Sequence, residues 1–273
     1  MAHSIKPVAL ITGASSGMGK DFALRLIREG YIVYGAARRV DRMYDIEAAG
    51  GFVLALDVTD DTTMVAAVDR IMRDHGRIDV LINNAGYGQY GALEDVKLDD
   101  ARRQMEINLF GLARLIQLCL PHMRARRSGT IFNIGSIGGK FATPLGGWYH
   151  ASKFALEGYS DALRLETRFF GIDVVVIEPG GIESEFGGIA AQEAARVSGT
   201  GPYSWMVDKM KKVQAGLRNQ PPPRVITDLI VKALHARTPR TRYHAGLWAG
   251  PLLFLRRRLS DRMFDRVVMS AFR

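Results

Sequence analysis

Short apolar runs alternate with longer amphipathic stretches from residue 8 onward, and few folds satisfy that alternation. Residues 8–11, 31–37, 52–56, 80–82, 130–134 and 174–177 each read as a short strand. Between them helices are predicted over residues 18–29, 61–74, 99–126 and 149–170, with a shorter one near 41–49. Strand and helix in turn predict a parallel sheet covered by helices on both faces. The first run, Val8-Ala9-Leu10-Ile11, has no polar side, as expected of a strand in the middle of such a sheet. After Ile177 the alternation stops. Residues 180–222 are expected to form an insertion with helical parts, followed by a helix at 224–237, a strand at 240–244 and a basic extension over 245–273. One domain of 273 residues is the expectation, because single α/β domains often reach about 250 residues.

Composition narrows the function classes. With 47% hydrophobic residues the chain can bury a sizeable core. Cys119 is its only cysteine, which excludes an intrachain disulfide framework and thiolate metal clusters, and fits a reducing, cytoplasmic setting. No stretch reaches the roughly 18 apolar residues of a spanning helix, and no cleavable signal pattern is seen. The formal charge of +9 is uneven: residues 201–273 hold fifteen Lys/Arg against four Asp, so residues 1–200 sum to −2. A nucleic-acid-binding body is therefore not expected. Residues 245–255 form an apolar run of eleven followed by Arg256, Arg257 and Arg258. That length suits a helix packed on its own or a neighbouring subunit, or one lying on a membrane surface.

Directly after the first strand stands Thr12-Gly13-Ala14-Ser15-Ser16-Gly17-Met18-Gly19, which leads into a helix. A glycine-rich turn at a helix start offers free N–H groups and partial positive charge to a pyrophosphate. The spacing T-G-x-x-x-G-x-G is a dinucleotide-binding variant. At the end of the second strand an acidic side chain would select NAD through its ribose hydroxyls. The sequence there is Ala36-Ala37-Arg38-Arg39, and two guanidiniums suit the 2′-phosphate of NADP(H).

Tyr149 and Lys153 open a predicted helix, and a spacing of four places them on one face. Ser136 lies just beyond the strand at 130–134, at the carboxyl end of the sheet where sites form. A tyrosine with an ammonium one turn away is a sufficient acid–base device, since a charge about 4 Å distant can depress a phenol by roughly three pKa units. Ser136 can hold a substrate oxygen.

Together these residues resemble the short-chain dehydrogenase/reductase family over about residues 5–245. The glycine loop, Asn83-Asn84-Ala85-Gly86, Asn108, Ser136, Tyr149-x-x-x-Lys153 and Pro179-Gly180 occur in that family's order. The resemblance implies a Rossmann-like, doubly wound parallel sheet of about seven strands in an α/β/α arrangement. It implies that Tyr149 moves the proton, that Lys153 lowers its pKa and binds the nicotinamide ribose, that Ser136 orients the carbonyl, and that Asn108 supports a relay to Lys153. Gly13, Ser15, Ser16, Gly17, Met18, Gly19, Arg38, Arg39, Asp57, Val58, Asn84, Ala85, Gly86, Pro179, Gly180, Ile182 and Ser184 complete the expected NADP(H) site, Ser184 standing where threonine is usual. Residues 185–215 are expected to form a substrate lid, with Phe186, Tyr203, Trp205 and Met206 as candidates for an apolar pocket. The long helices at 99–126 and 149–170 imply a homodimer or homotetramer. The run Asn83-Asn84-Ala85-Gly86-Tyr87-Gly88 and the C-terminal extension resemble hydroxysteroid- and retinol-type reductases of lipophilic carbonyls.

Other readings find less support. Ile134 stands where a nucleophile elbow around Ser136 needs its first glycine, which argues against a serine hydrolase. The six histidines show no metal-binding spacing, so no catalytic metal is expected, and His122 and His150 read as surface or helix-packing residues. Cys119 reads as an inert core or interface thiol. The alternative from another class is a non-catalytic NADP(H)-sensing protein of the same fold.

Overall fold

The computed structural model describes residues 6–216 and 219–272. Among them, strands β1 (Val8–Thr12), β2 (Ile32–Ala37), β3 (Phe52–Ala55), β4 (Val80–Asn83), β5 (Gly129–Ile134), β6 (Ile172–Pro179) and β7 (Arg242–Ala245) form one sheet in the order β3-β2-β1-β4-β5-β6-β7. Every adjacent pair is parallel. The order reverses at β1, which sends the chain outward to β2 and β3 and then across to β4. That reversal opens a crevice at the carboxyl ends of β1 and β4, where ligands bind in open α/β sheets.

Successive strand side chains belong to opposite faces of the sheet, and each face has its own core. Val8, Leu10, Leu81, Ile131 and Val174 face α3 (Asp61–His75), α5 (Gly111–Arg126) and α6 (Gly147–Thr167). Ala9, Ile11, Val33, Ile82, Phe132 and Ile177 face α1 (Gly17–Arg28), the short α2 (Tyr44–Ala48) and α9 (Arg224–Leu234). All five residues of β1 are buried, as a strand covered on both sides requires. Helix α3 shows why its ends fall where they do: Asp60 caps it by accepting from Thr62 N at 2.9 Å, and Gly76 ends it in the left-handed region at φ 65°.

The predicted helix at 99–126 is continuous but irregular. Helix α4 (Leu98–Met105) passes through a π-type turn at Glu106–Phe110 into α5. Between β6 and β7 the chain makes α7 (Phe186–Ser198) and α8 (Ser204–Gly216), the helical parts expected of the insertion. They enclose a small apolar cluster of Ala92, Leu145, Ala194 and Val207, separate from both sheet cores. After β7 come α10 (Ala249–Arg258) and α11 (Asp261–Ser270), which occupy the expected basic extension. Among the described residues no helix is long and apolar enough to cross a membrane.

Candidate active site

The glycine loop is built so that side chains are excluded where a ligand backbone would lie. Gly13 and Gly17 adopt φ 67° and 52°, which glycine tolerates best. A Cβ on Gly19 would strike the Gly13 carbonyl oxygen, and one on Gly13 would meet Asn84 Nδ2 at 2.8 Å. The loop is tied down from β4. Thr12 Oγ1 accepts from the N–H groups of Asn84 and Ala85, both at 3.0 Å, while Asn84 Nδ2 donates to the Thr12 and Gly13 carbonyls at 3.0 and 3.3 Å. Thr12 is thus a positioning residue for the loop, a role its place in the motif did not reveal.

The two arginines after β2 part company. Arg39 Nη2 donates to Ser16 Oγ at 3.3 Å and to Ser15 Oγ at 3.4 Å, which holds its guanidinium over the loop. Arg38 points to the other side, 3.9 Å from an Asp57 carboxylate oxygen, and is largely exposed. Asp57 is engaged by Thr59, which donates through its N–H and Oγ1 at 3.0 and 2.8 Å, and Val58 is buried beside Gly111. Backbone and hydroxyl donors, a guanidinium and a glycine cradle are the chemistry a phosphorylated dinucleotide needs. On these groups the fit is good.

Ser136, Tyr149 and Lys153 converge at the carboxyl end of β5. Ser136 caps a tight turn, its Oγ accepting from Gly138 N at 3.0 Å, and its hydroxyl lies close enough to the Tyr149 phenol to lower its pKa. Lys153 is buried one helical turn further, donates from Nζ to the Ile134 carbonyl at 2.8 Å, and lies 5.9 Å from the Tyr149 ring centre. Burial pushes the phenol up to about 12, against the lowering pull of Ser136. The same burial pulls the lysine down to about 8, although the Glu157 carboxylate draws it upward. The depression of Tyr149 by Lys153 expected from sequence is therefore not what the protein groups alone produce. The ammonium spends its hydrogen bond on a carbonyl, and desolvation dominates at the phenol.

Asn108 lies in the π-type turn and is fully buried. Its Nδ2 donates to the Tyr87 carbonyl at 3.0 Å and to Ser152 Oγ at 3.1 Å, and its Oδ1 accepts from Tyr87 N at 3.1 Å. Ser152 passes the link on by donating to the Tyr149 carbonyl at 2.7 Å. Gly86 is required beside it, since a Cβ there would stand 3.2 Å from Asn108 Oδ1. On the opposite wall, Gly180 N donates to the Ala245 carbonyl at 2.8 Å, and Gly181 bridges Leu247. Ile182 is buried, Ser184 Oγ donates to the Ile182 carbonyl at 3.3 Å, and Ser184 faces Gly17 across the crevice.

Residues 7–194 match the protein family described as "short chain dehydrogenase". The chain belongs to the short-chain dehydrogenase/reductase family. Among solved structures it is similar to a short-chain dehydrogenase from Streptomyces avermitilis, with 32% identity, 98% of each chain covered and a TM-score of 0.80. A Helicobacter pylori protein named "Probable short-chain type dehydrogenase/reductase VdlC" is 34% identical over 94% of this chain and 95% of its own length. A Bacteroides thetaiotaomicron protein named "3-ketodihydrosphingosine reductase" is 46% identical over 180 residues, which are 66% of this chain and 65% of that protein.

Beyond the family motifs, this short-chain dehydrogenase/reductase carries residues the sequence reading missed. Tyr90 stacks on Tyr149 with ring centres 5.7 Å apart, alongside Phe186, an expected pocket residue, which closes on Tyr149 at 5.2 Å. Of the four apolar candidates only Phe186 meets Tyr149; Tyr203 and Met206 pack into the α7–α8 cluster, and Trp205 is exposed. His150 is buried and does more than fill space. Its Nε2 accepts from Thr143 N at 3.1 Å, so the ring proton sits on Nδ1 and donates to the Gly138 carbonyl at 2.9 Å. The turn that aims Ser136 is thereby fastened to the residue after Tyr149. Cys119 is buried, its thiol pushed up to about 12, as an inert core cysteine should be.

Proposed function

We propose that the protein is an NADP(H)-dependent oxidoreductase that interconverts a carbonyl and an alcohol on a lipophilic small molecule, with Tyr149 giving or taking the proton. The observation that carries this reading is the convergence of the Ser136 hydroxyl and the Lys153 helix face on a buried Tyr149. A phenol held near 12 is protonated at neutral pH and can donate to a carbonyl oxygen. Lys153, near 8, keeps its ammonium at pH 7 and offsets the charge left on the phenol after donation. Ser136 orients the carbonyl oxygen, and Asn108 supports the relay to Lys153 by holding Tyr87 and Ser152. The dinucleotide, when bound, supplies or accepts the hydride. Gly13 to Gly19 with Ser15, Ser16 and Met18 hold its phosphates, and Arg39, assisted by Arg38, holds the 2′-phosphate. Asp57 and Val58 flank its adenine end, Asn84, Ala85 and Gly86 its middle, and Pro179, Gly180, Ile182 and Ser184 its nicotinamide end.

The lipophilic substrate is supported by the Tyr90 and Phe186 rings beside Tyr149 and by a relative named for reduction of a 3-ketodihydrosphingosine. Exposed Phe110, Phe154 and Leu165 near and on α5 and α6 support a homodimer or homotetramer. No feature of the site favours the non-catalytic sensing reading.

Initial rates over a panel of ketones and aldehydes test the proposal. NADPH is expected to exceed NADH at least tenfold in kcat/KM, because one charged hydrogen bond contributes about 1.5 to 3 kcal/mol and about 1.4 kcal/mol is tenfold. Arg39→Ala removes most of that preference and Arg38→Ala less. Tyr149→Phe reduces turnover to a few per cent while NADPH binding, read by nicotinamide fluorescence, persists. Wild-type turnover in Tyr149→Phe would refute the proton role, and NADPH binding without oxidation across the panel would favour the sensor.

A further inference from the structure

The C-terminal helices carry a second kind of surface. Trp248 enters α10 in the left-handed region at φ 64°, a conformation that disfavours side chains, and it is 58% exposed. Pro251, Phe254 and Arg258 share one face of α10, all exposed, and the Arg258 guanidinium lies 5.5 Å from the Phe254 ring centre. Arg257, Arg262 and Arg266 have no carboxylate in ion-pair range among the described residues. Against the five arginines of α10 and α11 stand Asp261 and Asp265, and Asp261 is already paired with Arg256 at 2.8 Å. Exposed aromatic rings flanked by unpaired arginines form the composition of an interfacial helix, whose rings enter the headgroup boundary while its guanidiniums meet phosphates.

The placement gives this surface a purpose. Phe264 of α11 packs on Phe141, in the loop that follows Ser136, with ring centres 5.3 Å apart. Leu247, next to Trp248, bridges Gly181 on the wall bordered by Ile182. Both helices therefore sit on the rim of the candidate active site.

We propose that α10 and α11 dock the protein on an anionic lipid surface, with the rim of its active site turned toward the bilayer. A second copy of the chain is the poorer occupant. A two-fold contact through this face would set unpaired arginines against arginines. The docking step needs neither cofactor nor turnover, so it stands apart from the reductase reading.

Co-sedimentation of the full chain with vesicles of equal parts phosphatidylglycerol and phosphatidylcholine tests it, with pure phosphatidylcholine as the control. Binding to the anionic vesicles at low ionic strength and release at high ionic strength are expected. Arg257→Glu with Arg262→Glu should weaken partitioning by well over tenfold, since each basic residue near an anionic surface contributes about fivefold. Trp248→Gly with Phe254→Ser, which also relieves the left-handed tryptophan, should weaken it at least tenfold while near-ultraviolet circular dichroism shows an intact fold. No sedimentation at low ionic strength overturns the proposal, as does equal binding by both double variants. A fall in mass by light scattering for Trp248→Gly with Phe254→Ser, without change in vesicle binding, assigns the face to a second copy and overturns it as well.

Discussion

At the scale of single residues, the candidate site is shaped by side chains outside its expected catalytic set. His150 is the clearest case, because its tautomer is fixed from both sides by Thr143 and Gly138. Burial holds its pKa below the usual histidine value. The unfolded chain takes up a proton near pH 6.5 while the folded chain resists it, so the stabilising increment is full above about 6.5 and drains as pH falls below it. A protonated ring would also turn an N–H toward Thr143 N. Wild type should lose melting temperature between pH 7 and pH 5 more steeply than His150→Gln, and oxidoreductase turnover should weaken in step as Ser136 loses its aim. Parallel curves for the two proteins would remove His150 from this role. Sequence could not show it: a histidine inside a helix start has no signature, and its partners lie in a glycine-rich turn with no regular pattern.

At the scale of elements, one charged cluster locks together the pieces that carry the chemistry. Lys140 follows the Ser136 turn, Glu157 lies on α6 one turn past Lys153, Glu178 precedes Pro179 on β6, and Arg242 begins β7. Glu157 Oε2 accepts from Lys140 Nζ at 2.6 Å and from Arg242 Nε at 2.9 Å. Glu178 Oε1 is within ion-pair range of both cations, at 3.5 and 3.4 Å, but has no hydrogen bond. Desolvation and the neighbouring Glu157 push the Glu178 carboxyl up. The two acids should respond differently to neutralisation. Glu157→Gln leaves two half-buried cations short of their shared acceptor and should cost about 2 to 4 kcal/mol in urea unfolding. Glu178→Gln removes a strained charge and should cost less than about 1 kcal/mol. Equal losses would mean that the cluster acts only through packing. The strands and helices themselves were legible because burial imposes periods on a sequence. The long-range charge pairing was not, since Lys140, Glu157, Glu178 and Arg242 look like ordinary surface residues until the sheet brings them together. The π-type turn was equally hidden within the 99–126 reading, although it turns Asn108 inward.

At the scale of the whole molecule, two sets of exposed apolar side chains bear on assembly, one near α5 and α6 and one on the C-terminal helices. The first, with Phe110, Phe154 and Leu165, is the surface proposed above for self-association. Phe154→Glu should lower the solution mass measured by light scattering toward that of one chain, and an unchanged mass would place the contact elsewhere. The sheet order imposes a further condition, on the time at which the cofactor site comes into being. Thr12 Oγ1 accepts from backbone groups 72 and 73 positions downstream, so the glycine loop gains its shape only when β4 docks beside β1. Such distant pairings form late, after the cost of closing a long loop has been met. During synthesis the part of the chain that precedes β4 emerges with its nucleotide loop unformed. Dinucleotide capture then becomes a signal that the sheet has closed around β1, and a nascent chain stalled before residue 84 should be unable to retain the cofactor.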